Sequence, residues 1–118
     1  MKRFILACVF VLVSTAAFAQ ATPASKLAWD QPNATLAEAS AMTYKFYPDG
    51  GATGFPLTGV ACVVGPPVSC SANFPAFTPG SHTIQVTTAN AAGESLKSTA
   101  FPFTFVVVPS SPTNLRIQ

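Results

Sequence analysis

Residues 77–95 constrain the fold most. They begin with a turn, continue as a run in which apolar and polar residues alternate, and end in a turn of small residues. The turn is Thr78-Pro79-Gly80, and residues 81–89 then place Ile84 and Val86 on one face. The opposite face carries polar side chains, namely Thr83, Gln85 and Thr87. The pattern predicts one long β-strand with a single apolar face against a core.

Other short apolar runs, separated by Pro and Gly turns, predict further strands. They are residues 26–30, 42–47, 57–64, 68–74 and 96–108. Residues 34–41 are Ala-rich and are interpreted as a loop, and Pro102 predicts a sheet edge or a bulge because it has no N–H. The order predicts an all-β, antiparallel two-sheet sandwich over residues 26–108. The expected core is Leu27, Trp29, Tyr44, Phe46, Ile84, Val86, Phe103 and Phe105.

The beginning of the chain has the pattern of a secretory signal peptide. Lys2 and Arg3 precede an uncharged, mostly apolar run over residues 4–18, and Ala17-Phe18-Ala19 predicts cleavage after Ala19. An uncleaved anchor is disfavoured because the apolar run is shorter than the ~18 residues that suggest a spanning helix. A lipoprotein signal at Cys8 is disfavoured by the few apolar residues before it. We expect a secreted or periplasmic protein with a flexible leader at residues 20–25.

Charge excludes some classes of partner. After residue 19 the basic and acidic side chains balance at four each: Lys26, Lys45, Lys97 and Arg116 against Asp30, Glu38, Asp49 and Glu94. A neutral chain with scattered charges has no field to attract nucleic acid or an anionic membrane, so neither is expected as a partner.

Two cysteines, Cys62 and Cys70, remain after the signal. In an oxidising compartment such a pair predicts a disulfide, which would join the segments on either side of the Gly65-Pro66-Pro67 turn. Two free buried thiols are the alternative. One His and two Cys do not supply four tetrahedral ligands, so no metal site is expected.

The chain resembles fibronectin type III domains over residues 26–108. Leu27-Ala28-Trp29-Asp30-Gln31-Pro32 is similar to the second strand of that family, and Tyr44-Lys45-Phe46 to the third. Residues 77–95 are similar to its corner and sixth strand. His82 stands about where the family has a corner tyrosine, no first strand is visible before Lys26, and a Cys pair is atypical. Another bacterial immunoglobulin-like sandwich remains the alternative.

Residues 109–118 resemble the linker and first strand that open a fibronectin type III repeat. One interpretation is a piece of a tandem array. A second is that the stretch from Leu115 to Gln118 pairs with a sheet edge of its own domain or of a second copy. A frayed polar tail is the third.

Catalysis is not expected, and no cofactor is implied. Ser81 and His82 are adjacent in a strand and point to opposite faces, while Asp49 and Glu94 lie in separate turns. No nucleophile elbow, phosphate-binding glycine loop or zinc-protease helix occurs.

Two binding hypotheses from different classes remain. The first is a structural or adhesive module at a cell surface or in an extracellular assembly, working through its loops, a sheet edge or residues 109–118. The second is a carbohydrate-binding module that uses Tyr47 and Phe55 as stacking platforms. Packing of both rings against their own turn is the alternative for these two residues.

Overall fold

The computed structural model describes residues 19–118, which form two β-sheets packed face to face and a short helix. The predicted signal segment lies outside the described residues except for Ala19. The elements in chain order are β1 (Ala19–Ala21), β2 (Lys26–Gln31), α1 (Leu36–Ala41), β3 (Thr43–Pro48), β4 (Phe55–Pro56), β5 (Ala61–Val63), β6 (Val68–Asn73), β7 (Gly80–Asn90), β8 (Gly93–Glu94) and β9 (Phe101–Phe105).

The larger sheet has the strand order β1-β9-β7-β3-β4, with β8 forming a hairpin on β7. The smaller sheet has the order β2-β6-β5. All described pairings are antiparallel except that of β1 with β9, which is parallel. The predicted all-β two-sheet sandwich is therefore confirmed.

The predicted core is also confirmed. Ile84, Phe103 and Phe105 are buried in one cluster, and Tyr44 is buried in the other, where Trp29 packs on it with ring centroids 5.1 Å apart. The remaining predicted members pack against these clusters: Leu27, Phe46 and Val86. Cys70 and Ala72 on β6 complete the interior of the smaller sheet.

Residues 36–41 form a helix, which corrects the prediction of a loop there. Thr35 is the N-cap: its Oγ1 accepts the Glu38 N–H at 3.2 Å, and it donates to the Glu38 carboxylate at 3.0 Å. Thr35 and Glu38 occupy the two positions of a capping-box sequence, but here the Glu38 carboxylate bonds to the Thr35 hydroxyl and not to its backbone N–H. The Tyr44 hydroxyl donates to the Ala39 carbonyl at 2.6 Å, which fastens the helix to β3.

The predicted strand over residues 57–64 is wrong as one element. β4 ends at Pro56 in the larger sheet, and β5 begins at Ala61 in the smaller one, so the chain changes sheets between them. Gly59 makes the crossing with φ of 66°, and a Cβ there would lie 2.6 Å from the Asn73 side-chain nitrogen. Glycine suits this position because it adopts a positive φ without strain and leaves room for the Asn73 side chain.

The last predicted strand, residues 96–108, is shorter than expected. Residues 95–98 run irregularly beside β7, where the hydroxyls of Ser95 and Ser98 accept the N–H groups of Thr88 and Val86. Regular pairing resumes only in β9. The sheet edge predicted from Pro102 is wrong, because β9 lies between β1 and β7 in the larger sheet. Pro102 is opposite Thr83 of β7 and lies one residue before the described stretch that pairs with β1.

Residues 20–25 are not the loose leader that the sequence predicted. Gln20 and Ala21 belong to β1, opposite Thr104 and Phe105, and Ala21 is buried. The Val106 N–H donates to the Ala21 carbonyl at 2.9 Å, and Ser25 N–H closes a turn onto Thr22. The first strand of the sandwich is therefore present, but its small side chains hide it in the sequence.

Cys62 and Cys70 form the predicted disulfide, with a sulfur–sulfur distance of 2.04 Å. The two residues are direct partners across β5 and β6, with Cα atoms 4.0 Å apart. Directly opposed residues approach this closely at the non-hydrogen-bonded positions of an antiparallel pair. The bond therefore fastens β5, the three-residue outer strand of the smaller sheet, to its centre.

We predict that the Cys62→Ala/Cys70→Ala variant loses about 2–3 kcal/mol of free energy of unfolding, because the short loop is no longer closed in the unfolded chain. Urea denaturation followed by tryptophan fluorescence measures it. Wild-type protein under reducing conditions is the control and should match the variant. A loss below about 0.5 kcal/mol, the range of ordinary surface changes, would contradict the prediction.

Candidate functional site

The smaller sheet has an edge at β2 with which no strand of residues 19–118 pairs. Strand β2 pairs with β6 on one side and with no described strand on the other. The segment that precedes it, β1, lies in the larger sheet beside β9. Residues 26–31 thus form an edge strand of six residues without proline or a bulge.

The hydrogen bond between Phe74 and Ser25, the residue before β2, shows which backbone groups of β2 point toward β6 and which point away from it. The Phe74 N–H donates to the Ser25 carbonyl at 3.2 Å, which places Ser25 in a hydrogen-bonded pair. Such pairs alternate along antiparallel strands, so Leu27, Trp29 and Gln31 also bond to β6. The backbone groups of the other residues of β2 point to the open side: Lys26, Ala28 and Asp30.

An apolar groove of about 760 Å³ lies beneath this edge, between the two sheets. Leu27 and Trp29 line one wall, and Ile84, Val86 and Phe103 line the other. The Trp29 indole N–H is buried and has no acceptor among the described residues.

Two apolar side chains at the rim of this groove are open to solvent. Leu96 is 94% exposed and Phe101 is 49% exposed. The groove is therefore a largely apolar surface next to backbone groups that lack strand partners, which is the combination that accepts an added strand.

Charged side chains flank the edge on its outer face. Lys26 Nζ donates to the Asn73 side-chain oxygen at 2.6 Å. Asp30 is exposed, and among the described residues it is in no ion pair. The edge thus carries one cationic and one anionic side chain, and neither is in an ion pair among the described residues.

Residues 107–118 are all exposed, and residues 109–118 form no strand on their own domain. Leu115 is 83% exposed and Ile117 is 101% exposed. Among the described residues, the hydrogen bond of Arg116 is to the Asn114 carbonyl of the same segment, at 3.4 Å. Of the interpretations left open for this segment, pairing with an edge of its own domain is not seen in residues 19–118, and two apolar side chains are exposed.

Tyr47, one of the two predicted ligand contacts, is only 7% exposed. Its hydroxyl donates to the Glu94 carboxylate, and Lys97 Nζ lies 4.4 Å from the centre of its ring. Thr87 also donates to Glu94, and the hydrogen bonds from Thr87 and then Tyr47 lower the pKa of Glu94. The segment after β7 thus covers Tyr47, and its ring is not open for stacking on a sugar.

Phe55, the second predicted contact, lies on β4 and is 45% exposed. Its ring leans on Phe46, with centroids 5.6 Å apart. With Tyr47 covered, the structure does not bring the two rings together as one open aromatic platform.

His82 joins two turns at one corner of the sandwich. Its Nδ1 is 2.8 Å from the Asp49 carboxylate and its Nε2 is 2.7 Å from the Thr78 carbonyl. Both partners only accept, so both ring nitrogens donate and the imidazole is protonated in this arrangement. The hydrogen bond to Asp49, then that to Thr78, raises the pKa of His82. His82 thus bonds to the backbone of the turn at Thr78.

Asp49, Thr78 and His82 have the order of groups found in a catalytic triad, but their bonding differs. The Thr78 hydroxyl is 3.2 Å from Nε2, farther than its own carbonyl. With that nitrogen donating, the ring has no lone pair to take a proton from Thr78. Within residues 19–118 there is also no cluster of three or more His, Cys, Asp or Glu side chains that would hold a metal.

The open edge was missed by sequence reasoning, although one signal for it was present. No strand pattern precedes Lys26, which left β2 without a predicted neighbour.

None of the helices in residues 19–118 has the length and apolar character needed to cross a bilayer. No protein-family model matches the chain, and no curated protein is similar to it.

We predict that His82 contributes stability that depends on pH. Its pKa is raised above 6.5, so its contribution is complete below pH 6.5 and is lost as pH rises through the raised value. Hydrogen bonds from the Thr83 N–H and then from His82 lower the pKa of Asp49 below 3.8, so the contribution of Asp49 is lost as pH falls through that lower value.

Melting temperatures of wild type and His82→Gln, measured from about pH 5 to about pH 8, test this. The advantage of the wild type should shrink as pH rises. Asp49→Asn, which removes the partner, should show the same weakened dependence as His82→Gln. A difference between wild type and His82→Gln that stays constant over this range would be inconsistent with the proposed bond.

Proposed function

We infer that the chain is an exported, non-catalytic structural or adhesive module that binds a protein partner by accepting an extended strand at the edge of β2. The observation that carries this proposal is the unpaired edge of β2 above an apolar groove. A fibronectin type III or related immunoglobulin-like sandwich is the class of domain that we propose for it.

Export to the periplasm or the cell exterior is supported by two independent features. The first 19 residues have the composition of a cleaved signal. The Cys62–Cys70 disulfide is of the kind that persists in oxidising compartments. Cleavage after Ala19 would leave Gln20 and Ala21, which keep their partners on β9.

Strand addition is favoured because it supplies both affinity and selectivity. An added strand would bond to the outward backbone groups of Lys26, Ala28 and Asp30. Alternate side chains of that strand would point into the groove beside Leu27 and Trp29. An edge with exposed apolar rim residues is otherwise a hazard for aggregation, so a partner that covers it also protects the fold.

Glycan binding has less support. It requires open aromatic faces, and of the two expected rings only Phe55 is substantially exposed. Tyr47 is held by Glu94 and lies under Lys97. The edge of β2 therefore remains the favoured site.

A photo-crosslinking phenylalanine derivative at Asp30 tests the proposed function in the native exported fraction. We predict covalent adducts, mapped by mass spectrometry to an extended segment of a protein. The same derivative at Thr53, an exposed loop position, is the control and should give none.

A second substitution, Ala28→Pro, sharpens this test. It removes an N–H that points to the open side and takes none from the pairing with β6, so the fold should be kept and the adduct lost. Ala28→Val retains the N–H and should retain the adduct. The absence of adducts at residue 30, or adducts that survive Ala28→Pro, would exclude strand addition.

A further inference from the structure

We propose that the occupant of the β2 edge is residues 113–118 of a second copy of this chain, with Leu115 and Ile117 inserted into the groove. The proposal rests on the proposed function, because it names the partner for the same edge. It joins two features of each molecule: an edge with which no described strand pairs, and an exposed segment that carries two apolar side chains.

The first argument is the pattern of the segment. Leu115 and Ile117 are separated by one residue, so an extended backbone points both to the same face. Each is more than four-fifths exposed, at 83% and 101%. Residues 113–118 also equal β2 in length, which has six residues. The segment therefore offers one apolar face that the groove would bury.

The second argument is charge. Arg116 lies between the two apolar residues, on the opposite face, and in the described part of the chain it contacts no carboxylate. Asp30 is the exposed acidic residue on the outer face of β2. If Arg116 lies beside Asp30, Leu115 and Ile117 point inward whether the strands run parallel or antiparallel. Lys26 is already bonded to Asn73 at the other end of the edge.

The third argument concerns which copy supplies the segment. Pro109 and Pro112 favour an extended spacer over a sharp return of the chain. Residues 107–118 are exposed along their whole length, and their described hydrogen bonds stay within the segment. An extended spacer carries residues 113–118 away from their own domain, which makes the edge of a second molecule the fitting acceptor. Each copy then has one donor and one acceptor, so a reciprocal dimer or a longer chain of copies forms.

Mass measurement by light scattering across a dilution series of the exported, full-length protein tests the proposal. Wild type should associate with increasing concentration. Leu115→Asp/Ile117→Asp, which damages the donor, and Ala28→Pro, which damages the acceptor, should each stay monomeric. Val108→Asp, an equally exposed change outside the donor segment, is the matched control and should associate like wild type.

A mixture of the two monomeric variants provides a more stringent test. The Ala28→Pro molecule still has a donor and the Leu115→Asp/Ile117→Asp molecule still has an acceptor, so together they should form a one-to-one complex. Asp30→Arg should weaken self-association about two- to fivefold, and adding Arg116→Asp should restore it, since cross-strand charge pairs have this size of effect. A mixture that stays monomeric, or a charge exchange without rescue, would overturn the proposal.

The crosslinking at Asp30 separates this proposal from the proposed function. Adducts between copies, mapped to residues 113–118, support both. If adducts form only with a different protein and the chain is monomeric at all concentrations, the proposal that a second copy occupies the edge is wrong. Strand addition at the β2 edge is then still supported. Adducts to residues 113–118 of the same molecule, or none, overturn both.

Discussion

The pairing of Ala19–Ala21 with β9 is the constraint on which the open edge depends. The three residues of β1 pair with β9 in the larger sheet, where Ala21 is buried opposite Phe105 in that core cluster, and they do not pair with β2. The smaller sheet is then left with three strands, and β2 becomes its outer strand. The groove exists because the two sheets separate at that side, with no described strand to cover Leu27 and Trp29.

The rest of the molecule fixes the position of this edge. The disulfide fastens β5 to β6, and β6 in turn holds β2 through a continuous register from Lys26 to Gln31. The Tyr44 hydroxyl joins the helix to the larger sheet at 2.6 Å. At one corner His82 bonds to Asp49, and on the outer face of the larger sheet Glu94 bonds to Tyr47. The residues of these polar contacts do not line the groove. They fix the positions of the strands around it and leave the edge of β2 open.

Much of this fold could be predicted from the sequence because several strands carry their own signal. In β3 and β7 the inward positions are Tyr44, Phe46, Ile84 and Val86, and strict alternation identified them. The helix had signals as well, since Thr35 is followed by Glu38 and the alanines are strong helix formers, but residues 34–41 were interpreted as a loop. The change of sheet at Gly59 had none, because hydrophobicity does not say which sheet a strand joins. The open edge had only the indirect signal that no strand pattern precedes Lys26, because such an edge depends on which sheet the neighbouring strand joins.

Amide hydrogen exchange along β2, measured residue by residue in the monomeric Leu115→Asp/Ile117→Asp variant, tests the open edge most directly. The account predicts protection that alternates along the strand. The amides of Leu27, Trp29 and Gln31 should exchange slowly because they bond to β6, and those of Lys26, Ala28 and Asp30 should exchange rapidly. Slow exchange at all six positions in the monomer would mean that another part of the chain already covers this edge, and would contradict the account.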